Sequence, residues 1–403
     1  MTDGTAAGRD RRALQSVATQ FFVNGAVFAS ISPRLPEIRT RIDVTTGTLG
    51  VLLAIGSLAG VLGSLSVGRV IERFSSRTVL IGGAIVLVSA LPIIGFATTP
   101  AMFLAGMIVF SAFDVLVDTA MNLQGSWLSA RRPVPVMNRL HGLWSLGTVI
   151  GGIVASQVAG AGVSLQVHLV TVAVVLLAVL VFVGRGLLVH DEHDPDGPTS
   201  FEVQADGAEA VRAAAKRSRR TLLTLMALIG GCSIVIELTS SDWAAFRLTD
   251  DLGAGPGLAG LGFVGFTAGM TIGRFGGDTV QARFGMTRLF RAGVVATAIG
   301  LTLATMVDRE YVVIAGFFLA GLGVATQFPK LYDDAAKLPG RPGAGLGALT
   351  GGSRVALLIA PIAVGSLAAT SLSVGSAMAT VLLPALVGFV VLDRVIGRVR
   401  ASL

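Results

Sequence analysis

Along this 403-residue chain the apolar residues gather into twelve unbroken runs. Each holds roughly 20 residues, enough for a helix to cross a hydrocarbon layer about 30 Å thick. The runs fall at 14–33, 46–67, 78–97, 101–124, 142–161, 166–186, 221–240, 255–274, 289–307, 311–330, 347–367 and 373–393. They are continuous rather than alternating and about twice the ~10 residues of a barrel strand, so the pattern predicts membrane helices and excludes a transmembrane barrel. The longest polar stretch, Leu187–Arg220, opens acidic (HDEHDPDGP, 190–198) and closes basic (KRSRR, 216–220). It lacks apolar periodicity and is expected to be a flexible linker. The chain then divides into a six-helix bundle at 1–186, the linker at 187–220 and a second six-helix bundle at 221–403.

A short basic turn supports that division. GRVIERFSSRTVL (Gly68–Leu80) has an echo in GGDTVQARFGMTRLF (Gly276–Phe290), with Arg73 matching Arg283, Phe74 matching Phe284 and Gly83 matching Gly293 at one offset of 210. Two similar bundles joined in one chain is the layout of a secondary transporter. The expected fold is therefore all-α, twelve transmembrane helices in two pseudo-symmetric bundles.

Composition agrees. Hydrophobic residues make up 53% and charged residues 14%, against ~25% charged in soluble domains. Placing both termini in the cytoplasm puts 25 of the 31 Lys and Arg there, as the positive-inside bias requires. The outer loops then hold Arg34, Arg39, Arg41, Arg247 and Arg309, and Arg354 is the one guanidinium deep in a run. The net charge of +7 is thereby a topology signal that implies no nucleic-acid partner. The basic start followed by an apolar stretch is read as a retained first helix. The single Cys232 excludes an intrachain disulfide and a cysteine zinc site. His190 and His193 flank two acids, but without a structured frame they read as solvated loop residues, and no metal or cofactor is expected. Fifty-two glycines, including Gly147-x-x-x-Gly151-Gly152 and Gly269-x-x-x-Gly273, point to close helix packing.

Charges inside a membrane helix cost ~2.5–3.5 kcal/mol and must face protein or water. The fourth run carries Asp114, Asp118 and Asn122 on one face, and the seventh carries Ser233, Glu237 and Ser241 at the same spacing. Gln20 and Asn24 lie in the first run, Gln327 in the tenth, Thr350 and Arg354 in the eleventh. Stripes on runs 1, 4, 7 and 10 would surround a central pathway. For Asn24, Gln327 and the serines, hydrogen-bonded packing between helices is an equal alternative. Asp114 lies nearer the outer end, where plain hydration would suffice. Asp118 and Glu237 are expected to face an aqueous cavity with Arg354 near at least one of them, in an ion pair or on an anionic cargo. Carboxyls held out of bulk water can bind and release protons in a working cycle, the basis for expecting proton coupling. His141 at the start of the fifth run is a gate contact, a proton carrier or a plain hydrogen-bonded helix end. Trp243 is expected to anchor at the membrane interface.

The segment GRVIERFSSR resembles the helix 2–3 signature of the major facilitator superfamily, G-x-x-x-D-R-x-G-R-R. Gly68, Glu72, Arg73 and Arg77 fit it, which implies a cytoplasmic gate; Arg283, and less clearly Asp278, stand in the second copy. Glu72 replaces the usual Asp and Ser75 the turn Gly, so a different gate geometry is expected. PRLPEIR (33–39), DTAMNLQ (118–124), HGLWSLG (141–147), ELTSSDWA (237–244) and LPGRPGAGLGA (338–348) resemble the MosC-like permeases, a branch related to the fucose-permease type. The resemblance implies a monomeric permease of the cytoplasmic membrane moving a small polar solute, sugar- or polyol-like, with protons. The alternative is a drug or metabolite exporter, against which the fifth run speaks by lacking the G-x-x-x-G-P proline of drug/proton antiporters: Gly152 follows Gly151. A sensor or lipid-handling protein is a third class, disfavoured by the membrane acids. No G-x-x-x-x-G-K loop and no nucleophile–base arrangement points to ATP hydrolysis or to an enzyme.

Overall fold

A computed structural model describes residues 3–132, 136–188, 209–336, 338 and 344–401. Its helices follow the apolar runs. In the first half they are α1 (Asp3–Ala29), α2 (Thr46–Gly63), α3 (Ser76–Gly95), α4 (Pro100–Ala130), α5 (Met137–Gly160) and α6 (Leu165–Gly186). In the second half they are α7 (Glu209–Asp242), α8 (Pro256–Phe284), α9 (Met286–Met306), α10 (Glu310–Val324), α11 (Ala344–Ala368) and α12 (Val374–Ala401). Ten of these helices contain segments long and apolar enough to cross a membrane. Two depart from that pattern: α1 is polar at its start, and α10 stops at Val324 and resumes as Gln327–Ala336. Pro329 has no amide to donate across the α10 break, and the Thr326 hydroxyl takes the carbonyl of Gly323.

Local chemistry fixes several helix starts. Thr45, Thr99 and Ser164 each accept a backbone N–H two or three residues into α2, α4 and α6. α7 starts earlier than the hydropathy suggests. Residues 209–220, expected to belong to a structureless linker, are helical, because EAVRAAAKRSRR is built from strong helix formers. His190 and His193 lie outside the described residues.

The packing repeats. In the first half α1 packs on α5 and α6, α2 on α4, and α3 on α4 and α6; six helices on, α7 packs on α11 and α12, α8 on α10, and α9 on α10 and α12. The halves meet along two seams, α2 with α11 and α5 with α8, which the same six-helix shift interchanges. This is the arrangement expected of two pseudo-symmetric bundles. Glycine makes it possible where backbones touch. A Cβ on Gly151 would stand 3.0 Å from the Ala26 Cα, and one on Gly269 would stand 2.9 Å from the Leu322 amide nitrogen.

The start of α1 and the end of α12 lie at one end. Asp10 at the start of α1 pairs with Arg131 just after α4, and Arg400 at the end of α12 pairs with Asp334 beyond α10. At the opposite end the halves touch directly: Gly160 lies against Gly257, Gly47 against Ala369, and Arg39 is ion-paired to Asp250. Toward the terminal end Gly68, Gly347 and Gly351 face open space. The halves touch at one end, and on the α2–α11 side of the other these three glycines meet no neighbour.

The repeated turn also repeats in three dimensions. Ser75 has φ 68 and ψ 151, and Gly285, 210 residues on, has φ 80 and ψ 153. Arg73 stands over the Phe74 ring at 5.6 Å and Arg283 over Phe284 at 5.4 Å. At the corner itself the serine is held in the backbone shape its glycine counterpart adopts.

Candidate functional site

The polar groups between the halves are carried by α4, α7, α8, α11 and the segment after α10. Asp114 and Asp118 lie one turn apart on α4. Asn24 of α1 donates to Asp114 Oδ1 at 3.2 Å. Asn122 donates to Asp118 Oδ1 at 3.0 Å and to its backbone carbonyl at 2.8 Å. Asp118 is exposed, yet Arg354 of α11 and Tyr332 in the segment after α10 are within electrostatic reach of it. Its carboxylate therefore borders an accessible space facing the opposite half. No ion pair joins Arg354 to an acid among the described residues.

Glu237 of α7 pairs instead with Arg274 of α8, at 3.8 Å. Arg274 also donates to Ser145 Oγ of α5 at 3.0 Å, so it links the two halves. Glu237 Oε2 is buried without a hydrogen bond, as are the hydroxyls of Thr239 and Ser240. Tyr332 lies within charge range of Glu237 as well as Asp118, and His141 within range of Arg274. His141 is exposed and meets Phe21 edge-on, ring centroids 5.2 Å apart. The two membrane acids thus address one region with Arg274, Arg354 and Tyr332, a mixed-charge array suited to holding a polar solute and exchanging protons.

Other expected pathway residues are placed differently. Gln327 is fully buried, accepting from Ser233 at 3.4 Å and donating to Thr297 at 3.5 Å. It joins α7 to α9, which is the packing alternative. Ser241 is buried and bonds locally, to the Leu238 carbonyl at 3.1 Å and Asp242 at 3.4 Å. Thr350 likewise bonds the Leu346 carbonyl on its own helix.

At the terminal end Arg77 donates to the Gly184 carbonyl at 2.8 Å, tying α3 to α6. Glu72 and Arg73 are exposed, and among the described residues no ion pair involves Glu72, so the signature's bridging contact is not made in this conformation. Arg283 is exposed beside Phe284, and the side chain of Asp278 lies outside the described residues.

Two sequence-based expectations are corrected. Arg354 is not the only guanidinium deep in a helix. Arg274, counted with the cytoplasmic charges because it ends its apolar run, sits inside the 29-residue α8. Arg247 lies in the connection between α7 and α8. It is 1% exposed and held by Asp251, Asp308 and the carbonyls of Ala304 and Val307. Trp243 is buried against Phe246 and Gly365, too enclosed to anchor in the interface.

Such a helical bundle with charged groups at its central seam has known counterparts. Residues 17–243 match the family model of the Major Facilitator Superfamily. The chain belongs to that superfamily and is a membrane transporter, not an enzyme. It is 29% identical over 331 residues to the membrane protein MosC of Rhizobium meliloti, covering 81% of this chain and 76% of MosC. It is 26% identical over 373 residues to an uncharacterized MFS-type transporter of Yersinia pestis, covering 92% and 93%. The crystal structure of the nucleoside transporter NupG superposes with a TM-score of 0.70 at 14% identity, covering 96% of this chain and 98% of NupG.

Proposed function

We propose that this protein is a secondary active transporter of a small polar solute, sugar- or polyol-like, driven by protons through alternating access. The carrying observation is that Asp118 and Glu237, from opposite halves, address one accessible region together with Arg354, Arg274 and Tyr332. A charge on a membrane helix persists only where it faces protein or water, and acids so placed beside arginines are suited to proton exchange. NupG, a nucleoside transporter by name, is a fold relative whose cargo is also a polar solute. The positive-inside bias supports cytoplasmic termini in the cytoplasmic membrane. Bundles at 1–186 and 221–403 joined by 187–220, acting as a monomer, complete the reading. A drug or metabolite exporter is the alternative.

The test is transport in proteoliposomes once thermal stabilisation has identified a cargo. Glu237→Gln and Asp118→Asn mimic permanently protonated carboxyls. At least one should abolish uphill accumulation driven by a pH difference while sparing exchange of cargo for cargo. If both still concentrate cargo on a pH gradient alone, proton coupling through these acids is wrong.

A further inference from the structure

We infer that Arg39 and Asp250 form an ionic latch that holds the end opposite the termini closed, and that the halves separate there only when the pair breaks. The inference rests on the alternating-access reading. Arg39 belongs to a short helix of the first half, Leu35–Arg41; Asp250 belongs to a π-helical turn of the second, Arg247–Asp251. The guanidinium meets the carboxylate with two nitrogens, Nη2 lying 3.0 Å from Oδ1 and Nη1 against Oδ2. Its Cζ also stands 5.3 Å from the centre of the ring of Phe246, a fully buried residue of the second half. A fork-shaped contact to a carboxylate combined with an aromatic face is the strongest arrangement available to arginine.

The segment that presents Asp250 keeps its place in the repeat but not its charges: Arg247–Asp251 ends five residues before α8 as Leu35–Arg41 ends five before α2, with Thr249 in the place of Arg39 and Thr40 in that of Asp250. Gly25 packs on Trp144 and Thr148, and Gly230 packs on Leu349 and Ser353, the same contact 205 residues later. The turns after α2 and α8 are 210 apart. The five extra residues of the second half therefore fall between Gly230 and the π-helical turn, where α7 runs on to Asp242 while α1 stops at Ala29. The turn is rigidly mounted. Buried Arg247 ties it to the α9–α10 connection, and Asp251 accepts the Val374 and Gly375 amides at the start of α12. Ser32 donates to Asp242 at 3.4 Å across the same closure, a weaker second contact.

The experiment measures separation directly and needs neither cargo nor proton gradient. Spin labels are placed at Thr48→Cys and Ser371→Cys in a Cys232→Ser background in lipid nanodiscs, and their distance distribution is read. Arg39→Ala and Asp250→Asn should each raise the long-distance population about two- to fivefold, the effect of a partly exposed ion pair. The reversed pair, Arg39→Asp with Asp250→Arg, should return it toward the parent. Should a single variant fail to fold, raising salt from about 0.05 M to about 1 M on the parent pair should shift the distribution the same way. Distributions that overlay the parent's in the variants, or in high salt, overturn the latch, as does a reversed pair as open as the single variants. A second label pair at Gly68 and Gly347 reports the terminal end. Motion there with an unresponsive outer pair rejects the latch alone, whereas immobility at both ends in every variant rejects alternating access with it.

Discussion

The connection from α2 to α3 and the connection from α8 to α9 are one turn written with different residues. In the second, α8 runs unbroken to Phe284 and Gly285 takes φ 80 without cost. In the first, α2 stops at Gly63. Ser64 and Ser66 turn their hydroxyls onto the carbonyls of Val61 and Gly63, and an eight-residue helix, Val67–Phe74, leads into Ser75 at φ 68. At the 210 offset Ser64 and Ser66 correspond to Arg274 and Gly276. The first half thus spends these positions on local bonds, whereas the second places there the arginine that reaches Glu237 and Ser145. The comparison teaches that the backbone path of the turn is set by the packing around it. The residue at its corner decides only how much strain that path carries.

Three substitutions would break or sharpen this reading. The largest effect is expected from Gly285→Val. A β-branched residue at φ 80 and ψ 153 should cost about 2–3 kcal/mol, seen as a marked fall in melting temperature. A Gly285→Val protein as stable as the parent would mean that the turn is free to move. Ser75→Gly should act in the opposite direction. Relief of the strained corner stabilises by about 1 kcal/mol, less a few tenths for the lost helix cap. A lower melting temperature for Ser75→Gly would contradict strain at this corner. Ser75→Ala keeps the Cβ and removes only the hydroxyl, whose bond to the Thr78 amide is long at 3.4 Å and exposed. It should lower stability by a few tenths of a kcal/mol, and a gain would assign the strain to the hydroxyl rather than to the backbone.

Much of the fold is written in the chain because lipid admits few alternatives: an unbroken apolar run must satisfy its backbone internally, as a helix. The Arg73–Phe74 and Arg283–Phe284 echo likewise reports a repeated shape. The site is less legible. Asp118 and Glu237 draw notice because a membrane acid needs a reason, but their neighbours come from far along the chain. Arg274 does not stand out in the sequence because hydropathy places it at the end of a run, and only the packing of α8 on α5 carries it inside. Arg247 and Trp243 look like ordinary interfacial residues until the carbonyls and rings that enclose them are known. Gln327 shows the converse: a polar residue in an apolar run whose partners, Ser233 and Thr297, are other residues of the same kind.

The Arg39–Asp250 pair has a mechanical consequence. Two identical halves about a two-fold axis would carry every clasp twice, one on each side, and would part evenly. Here Thr249 stands in the place of Arg39 and Thr40 in that of Asp250 at the 210 offset, so the ionic clasp is single. A hinge fastened along one edge swings: the unfastened side yields first and the load concentrates on the remaining bolt. Opening of this face should therefore begin as a tilt about the Arg39–Asp250 corner, with a lever arm set by the width of the bundle, and end as a full parting only after that corner lets go.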